Sequence, residues 1–290
     1  MGLEEVLEKG LALLNIDPHG QYASMMQKNS KGEFARFDVS PRGYDVTVYS
    51  PASSAAAPHA DRPLRFNGRN LTAREISAML PEDVTNSQRG VLYEAIKVLE
   101  AEGGDYGLEE IIAQAEKDSS KAKWGLIGHL EALADLGIFS GKPTGLGDLL
   151  QRGRASIIDM TGVPPDLQGM IVAKLLSDLF EARKRGRVNP GMVVVEEAHN
   201  YIPERGSGRA ASTPVIRTIA AEGRKFGLGL LVISQRPARV DKNVISQCNT
   251  QIILRVTNPN DLRALSKGIE GMSSELEEEI KRLPPGRRCW

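Results

Sequence analysis

Short, nearly continuous apolar runs recur along the chain. Longer stretches with helical spacing separate them. Residues 11–16 (LALLNI), 155–160 (ASIIDM), 192–195 (MVVV) and 228–234 (LGLLVIS) are each strand-length, and 251–256 (QIILRV) is similar. A strand covered by helices on both sides needs apolar residues on both faces, so such runs suit a parallel sheet. Their alternation with helical patterns predicts a doubly wound, mostly parallel α/β sheet.

Helix ends are marked by particular side chains. Pro164, Pro165 and Asp166 precede a stripe of Leu167, Ile171, Leu175 and Leu179, which closes on Arg183, Lys184, Arg185 and Gly186. Cations answer the carbonyl end of a helix, and glycine takes the turn beyond it. Thr213 and Pro214 predict the N-cap and first residue of another helix, which should end near Gly227. Leu92, Ile96 and Leu99, then Leu126, Leu130 and Leu133, repeat at helical spacing. These predict a helical insertion over 64–149, set into a core of residues 1–50 and 150–290. The stretch 50–63 (SPASSAAAPHADRP) reads as a low-complexity linker into it.

Composition narrows the picture. A length of 290 residues suits one large α/β domain, or one carrying an insertion. Hydrophobic content is 41% and charged content 26%, as in ordinary globular chains. Lys plus Arg and Asp plus Glu both total 37, so any nucleic-acid contact must come from local clusters. Cys248 and Cys289 are too few for a disulfide framework or a four-cysteine zinc site, which favours a reducing, cytoplasmic setting. No apolar run reaches the roughly eighteen residues of a membrane span, so no membrane partner is expected. His19, His59, His129 and His199 lack ligand-like spacing.

Four short motifs carry candidate chemistry. Residues 192–199 (MVVVEEAH) place two adjacent carboxylates after a buried strand. Ligands bind at the carboxyl edge of open α/β sheets, where one acid can hold Mg²⁺ through water and the next can activate a water. Alone, the pattern is equally a strand entering a solvated acidic turn. Residues 222–227 (EGRKFG) offer Arg224 as an arginine finger for a neighbouring subunit's nucleotide; alone, its basic pair simply answers a helix dipole. Gln235, in ISQRP, can sense a γ-phosphate or merely close a strand-end turn. Asp17, in DPHGQY, can approach metal and water or sit in a Pro-Gly turn. Their joint order says more: Asp17, Glu196 and Gln235 each follow a predicted core strand and should reach one edge of one sheet.

With these stretches in view, the chain resembles the HerA helicases of the HerA/FtsK superfamily of P-loop motors. The resemblance rests on DPHGQY, VVVEEAHNYIP, IAAEGRKFGLGLLVISQRPARVDKNVISQCNTQIILRVTNPND and LPPG. It implies a RecA-like P-loop NTPase sheet, a homo-hexameric ring, ATP with Mg²⁺ between subunits, and double-stranded DNA in the pore. It also implies a NurA-like nuclease as partner in DNA end resection. It assigns Glu196 to Mg²⁺, Glu197 to the catalytic base, Arg224 to the finger in trans and Gln235 to the sensor. Segments 204–209 and 236–242 follow strand ends and could line the pore. Arg205, Arg209, Arg236, Arg239 and Lys242 would then meet phosphates without reading sequence, although solvated surface loops would look the same. Other readings are a non-catalytic ring or assembly subunit, and a secretion or conjugation ATPase.

Two departures qualify the resemblance. Gln21 stands where the family usually has Glu. No phosphate-binding loop is present: Gly141-Lys142-Pro143-Thr144 lacks the upstream Gly and a Ser/Thr after Lys, and Pro removes a backbone donor. The chain is therefore expected to be truncated at both ends, and to hydrolyse ATP poorly by itself. The strand that feeds a P-loop is normally central, so its loss should leave strand edges unpaired.

Overall fold

The computed structural model describes residues 2–28, 40–52, 57–81, 83–135, 137–268, 273–284 and 288–289. Residues 53–56 of the expected linker, and 285–287 within and beside LPPG, lie outside the described residues.

The main sheet has six strands: β1 (Ala12–Asp17), β2 (Val46–Ser50), β3 (Arg62–Pro63), β6 (Ala155–Asp159), β7 (Gly191–Val195) and β8 (Leu228–Val232). Their order is β3-β2-β6-β1-β7-β8, and every pairing is parallel. β1 is central, and all six of its residues are buried. At the β8 end, the outer edge is unpaired among the described residues, and Gly229–Val232 are half-buried.

Two small sheets complete the strands. β4 (Phe66–Asn67) pairs with β5 (Phe139–Ser140), and β9 (Ile253–Leu254) pairs antiparallel with β10 (Arg288–Cys289). The helices are α1 (Gly2–Glu8), α2 (Ala73–Met79), α3 (Asn86–Glu102), α4 (Leu108–Ala115), α5 (Lys123–Asp135), α6 (Leu146–Leu149), α7 (Pro165–Lys184), α8 (Thr213–Glu222), α9 (Lys242–Ile245), α10 (Pro259–Gly268) and α11 (Ser274–Arg282).

Side-chain alternation sorts the two faces of the sheet. Leu14, Ile16, Ile158, Val193 and Val195 join a large core with α7 and with buried residues of α2–α5. Leu13, Val48, Ile157 and Val194 face the other way, towards Leu7 of α1 and the turn around Tyr22. α2 is fastened to α7 by Lys174, which is buried and bonds Glu75 at 3.1 Å and Asp178 at 2.9 Å.

Three expectations change in detail. Residues 251–256 form no core strand: only Ile253–Leu254 pair, outside the main sheet, with Ile252 and Leu254 63% and 50% exposed. The expected linker is partly strand, because Tyr49 and Ser50 pair with Arg62 and Pro63, and Asp61 accepts the Val48 N–H at 2.8 Å. The N-cap of α8 is Ser212, one residue before the expected Thr213; Pro214 still sits in the first turn. Beyond α8, a 3-10 turn (Gly223–Phe226) leads to Gly227 at φ 72°.

Candidate active site

Parallel strands deliver their carboxyl ends to one edge. Asp17 ends β1 and Asp159 ends β6, as direct register partners. Glu196 follows β7, and Gln235 lies three residues beyond the end of β8. The structure therefore brings Asp17, Glu196, Glu197 and Gln235 to a common edge.

Asp17 is 1% exposed and folds the following loop back on itself. Its carboxylate accepts the His19 N–H at 3.1 Å and the Tyr22 N–H at 2.8 Å. The turn uses Gly20 at φ 67°, where a Cβ would stand 3.1–3.3 Å from Thr161 Oγ1 and both Asp159 oxygens. Tyr22 then donates its hydroxyl to Glu196 Oε1. Burial pushes the Tyr22 phenol up from its ordinary range, and the Glu196 bond adds to this. The phenol is thus held protonated beside the acid.

Glu197 has φ 46° and ψ 47°, the left-handed region that non-glycine residues rarely occupy. Backbone bonds fix this turn: Ile233 N–H donates to Val195 O at 3.0 Å and Ala198 N–H to Ile233 O at 2.9 Å. Gln235 Nε2 donates to Glu197 Oε1 at 3.1 Å. His199 Nδ1 lies 3.3 Å from Glu197 Oε2 and 3.2 Å from Ser234 Oγ. Burial pushes the His199 pKa down, against the pull of Glu197.

Among the described residues no cluster of three or more His, Cys, Asp or Glu could cage a metal ion. The donor set still fits Mg²⁺, which keeps most of its waters and needs one or two carboxylates when phosphate oxygens supply the rest. Glu196 and Asp17 are the carboxylates at hand.

Arg224 does not join this edge. It is exposed in the turn before β8, at the amino ends of the strands. The intervening strand of five residues spans about 16 Å at ~3.3 Å per residue. The residues around it have local tasks: a Cβ on Gly223 would meet Leu228 O at 2.5 Å, and Arg183 Nε donates to Phe226 O at 2.5 Å.

The two basic segments are zipped together. Glu204 N–H donates to Arg239 O at 2.7 Å, and Asp241 N–H to Ile202 O at 2.8 Å. Arg205, Arg209, Arg236, Arg239 and Lys242 are all exposed. Lys242 is paired with Glu204 at 3.0 Å, and Arg217 with the buried Asp241 at 2.5 Å. Arg205, Arg209 and Arg217 line a cavity of ≈ 400 Å³.

Sequence reasoning passed over Asp159, Tyr22 and His199. Asp159 lies one residue before the end of a run read as strand, yet only the register beside Asp17 marks it. Tyr22 and His199 fall within quoted motifs without a distinguishing spacing.

This parallel six-stranded sheet has the RecA-like fold. VirB4 of Thermoanaerobacter pseudethanolicus shares the fold at a TM-score of 0.65 and 14% identity, over 98% of this chain and 81% of that one. A family model described as the helicase HerA central domain matches residues 3–179. The chain belongs to that family. A DNA double-strand break repair helicase HerA from Saccharolobus solfataricus is 25% identical over 300 aligned positions, covering 98% of this chain and 56% of the relative. Its counterpart from Pyrococcus furiosus is 32% identical over 169 positions, covering 47% and 30%. The chain thus spans at most about half the length of these curated relatives. Among the described residues, no helix is long and apolar enough to cross a membrane.

Proposed function

We propose that this chain supplies the hydrolytic edge of an ATP-driven DNA helicase or translocase acting in DNA double-strand break repair. The observation that carries the reading is the Gln235–Glu197 bond, which joins the tip of β8 to the second acid after β7. Bound Mg·ATP would bring the γ-phosphoryl group and the cation that neutralises its charge. Glu196 would orient water on Mg²⁺, and Asp17 would fix the loop that carries Tyr22. Glu197 would take a proton from the attacking water, and Gln235 would sense the phosphate through its amide.

The same reading makes the protein a cytoplasmic homo-hexamer with double-stranded DNA in its pore and a NurA-like nuclease as partner in end resection. Residues 64–149 form its helical insertion. Arg224, remote from its own acid edge, reaches a neighbouring subunit's nucleotide. Arg205, Arg209, Arg236, Arg239 and Lys242 meet DNA phosphates.

The test is DNA-stimulated ATP turnover by the full-length protein. Glu197→Gln should abolish turnover while leaving nucleotide binding intact. Turnover that survives this substitution sinks the reading.

A further inference from the structure

We propose that His199 is the positioning residue for Glu197, donating from Nδ1 to Oε2 while Gln235 holds Oε1. This rests on the reading of Glu197 as the base.

Glu197 Oε2 is sealed from solvent and has no hydrogen-bond partner. A buried carboxylate oxygen left so forfeits its hydration with nothing in return, which is costly for a charged group. The group facing it is His199 Nδ1, at 3.3 Å. Were that nitrogen unprotonated, its lone pair would oppose the carboxylate at the same distance. With a proton on Nδ1 the contact is attractive, and a small rotation of the ring from Ser234 Oγ towards Oε2 makes it a charge-assisted bond. Burial pushes the His199 pKa down, which favours a neutral ring with a single proton, and the facing carboxylate oxygen at 3.3 Å assigns that proton to Nδ1.

The surroundings explain why the acid needs two holders. Its left-handed backbone, at φ 46°, is a strained conformation for a residue with a side chain. The backbone turns Glu197 out of the line of β7, and side-chain bonds must then aim the carboxylate. Gln235 holds Oε1 at 3.1 Å and is itself exposed. His199 is the inner holder, with its side chain 17% exposed. Ser234 Oγ, 3.2 Å from the same Nδ1, is a second acceptor for its proton, and it also accepts the Arg236 N–H at 3.0 Å. Ser234 and Gln235, adjacent on the tip after β8, thus reach the same acid, one through His199 and one directly.

The experiment uses the full-length protein and two readouts. In steady-state hydrolysis, His199→Ala should lower kcat by about 10–100-fold, as loss of an orienting partner does elsewhere, with KM for ATP unchanged. His199→Asn places an amide nitrogen where Nδ1 stood and should recover most of kcat. His199→Gln carries its amide one bond further out and should not. In ¹⁵N NMR of the nucleotide-free protein, the signal lost in His199→Asn should be that of a neutral ring protonated on Nδ1. The proposal is overturned by an unchanged kcat in His199→Ala, by an Asn variant no better than Ala, or by a ring protonated on Nε2. Glu197→Gln is run beside them: turnover that survives it removes the base itself, and the positioning role with it.

Discussion

Tyr22 donates its hydroxyl to Glu196, which ties the loop after β1 to the turn after β7. The phenol is therefore useful only while protonated. Burial raises its pKa above the ordinary 10.0, and burial does the same at Tyr201, with Asp17 adding to it. A group whose folded pKa is raised contributes stability below its unfolded pKa and loses it as pH rises towards the folded value. Stability to urea should accordingly fall as pH climbs above about 10. Tyr22→Phe should reduce that slope and remove about 1.5–3 kcal/mol at neutral pH, the worth of a hydrogen bond to a charged group. An unchanged alkaline slope in the variant would show that Tyr22 does not carry the effect.

Asp241 gives the opposite dependence. It is 1% exposed, pairs with Arg217 and caps α9 by accepting the Asn243 and Val244 N–H groups. Burial pushes its pKa up, but Arg217 and the two N–H donors outweigh this and hold it below the ordinary aspartate range. Its contribution is present above the unfolded pKa and is lost as pH falls through the folded one. Asp241→Asn should cost roughly 2–3 kcal/mol at pH 7, less than a fully buried pair because Arg217 reaches solvent. It should also flatten the stability loss below about pH 4. Urea titrations at pH 7 and pH 3 check both.

Much of this architecture is legible in the sequence because burial on both faces leaves a mark. β1, β6, β7 and β8 each coincide with an apolar run, and the alternation of such runs with helices implies parallel pairing. β2 (VTVYS) escaped because Thr47 interrupts its pattern. Residues 251–256 failed for the converse reason: an apolar run states a preference for burial without naming a partner, and Ile252 stays exposed. At the site, chain order brought out Asp17, Glu196 and Gln235, since each trails a strand. Asp159 needed the β1–β6 register, and His199 needed the left-handed turn at Glu197. Neither is written in a spacing.

The basic segments make a separable claim about DNA. They form one surface through the Glu204–Arg239 and Ile202–Asp241 backbone bonds. Lys242 already has a carboxylate partner in Glu204, whereas Arg236 and Arg239 present exposed guanidinium groups beside it. In the full-length protein, Arg236→Ala and Arg239→Ala should each lower the slope of log K against log salt by about 1, equally for any DNA sequence. Lys242→Ala should change it less. Fluorescence anisotropy across a salt series reads all three, and equal slopes for wild type and the arginine variants would remove these residues from the DNA surface.

Arg224 and Glu197 stand at opposite ends of the sheet, so a finger and a base from one chain cannot serve one nucleotide. If both act, they act across an interface. Arg224→Ala and Glu197→Gln should each silence the full-length protein, the first by the roughly 10³–10⁵-fold typical of a lost arginine finger. Mixing the two variants under conditions that allow subunit exchange should restore turnover. Some interfaces then combine the intact base of an Arg224→Ala subunit with the intact arginine of a Glu197→Gln subunit. Arg224→Lys should recover little, because an ammonium lacks the planar fork that grips phosphate at two points. A mixture as inactive as its parts, with exchange verified by mass spectrometry, would place Arg224 outside the hydrolytic machinery.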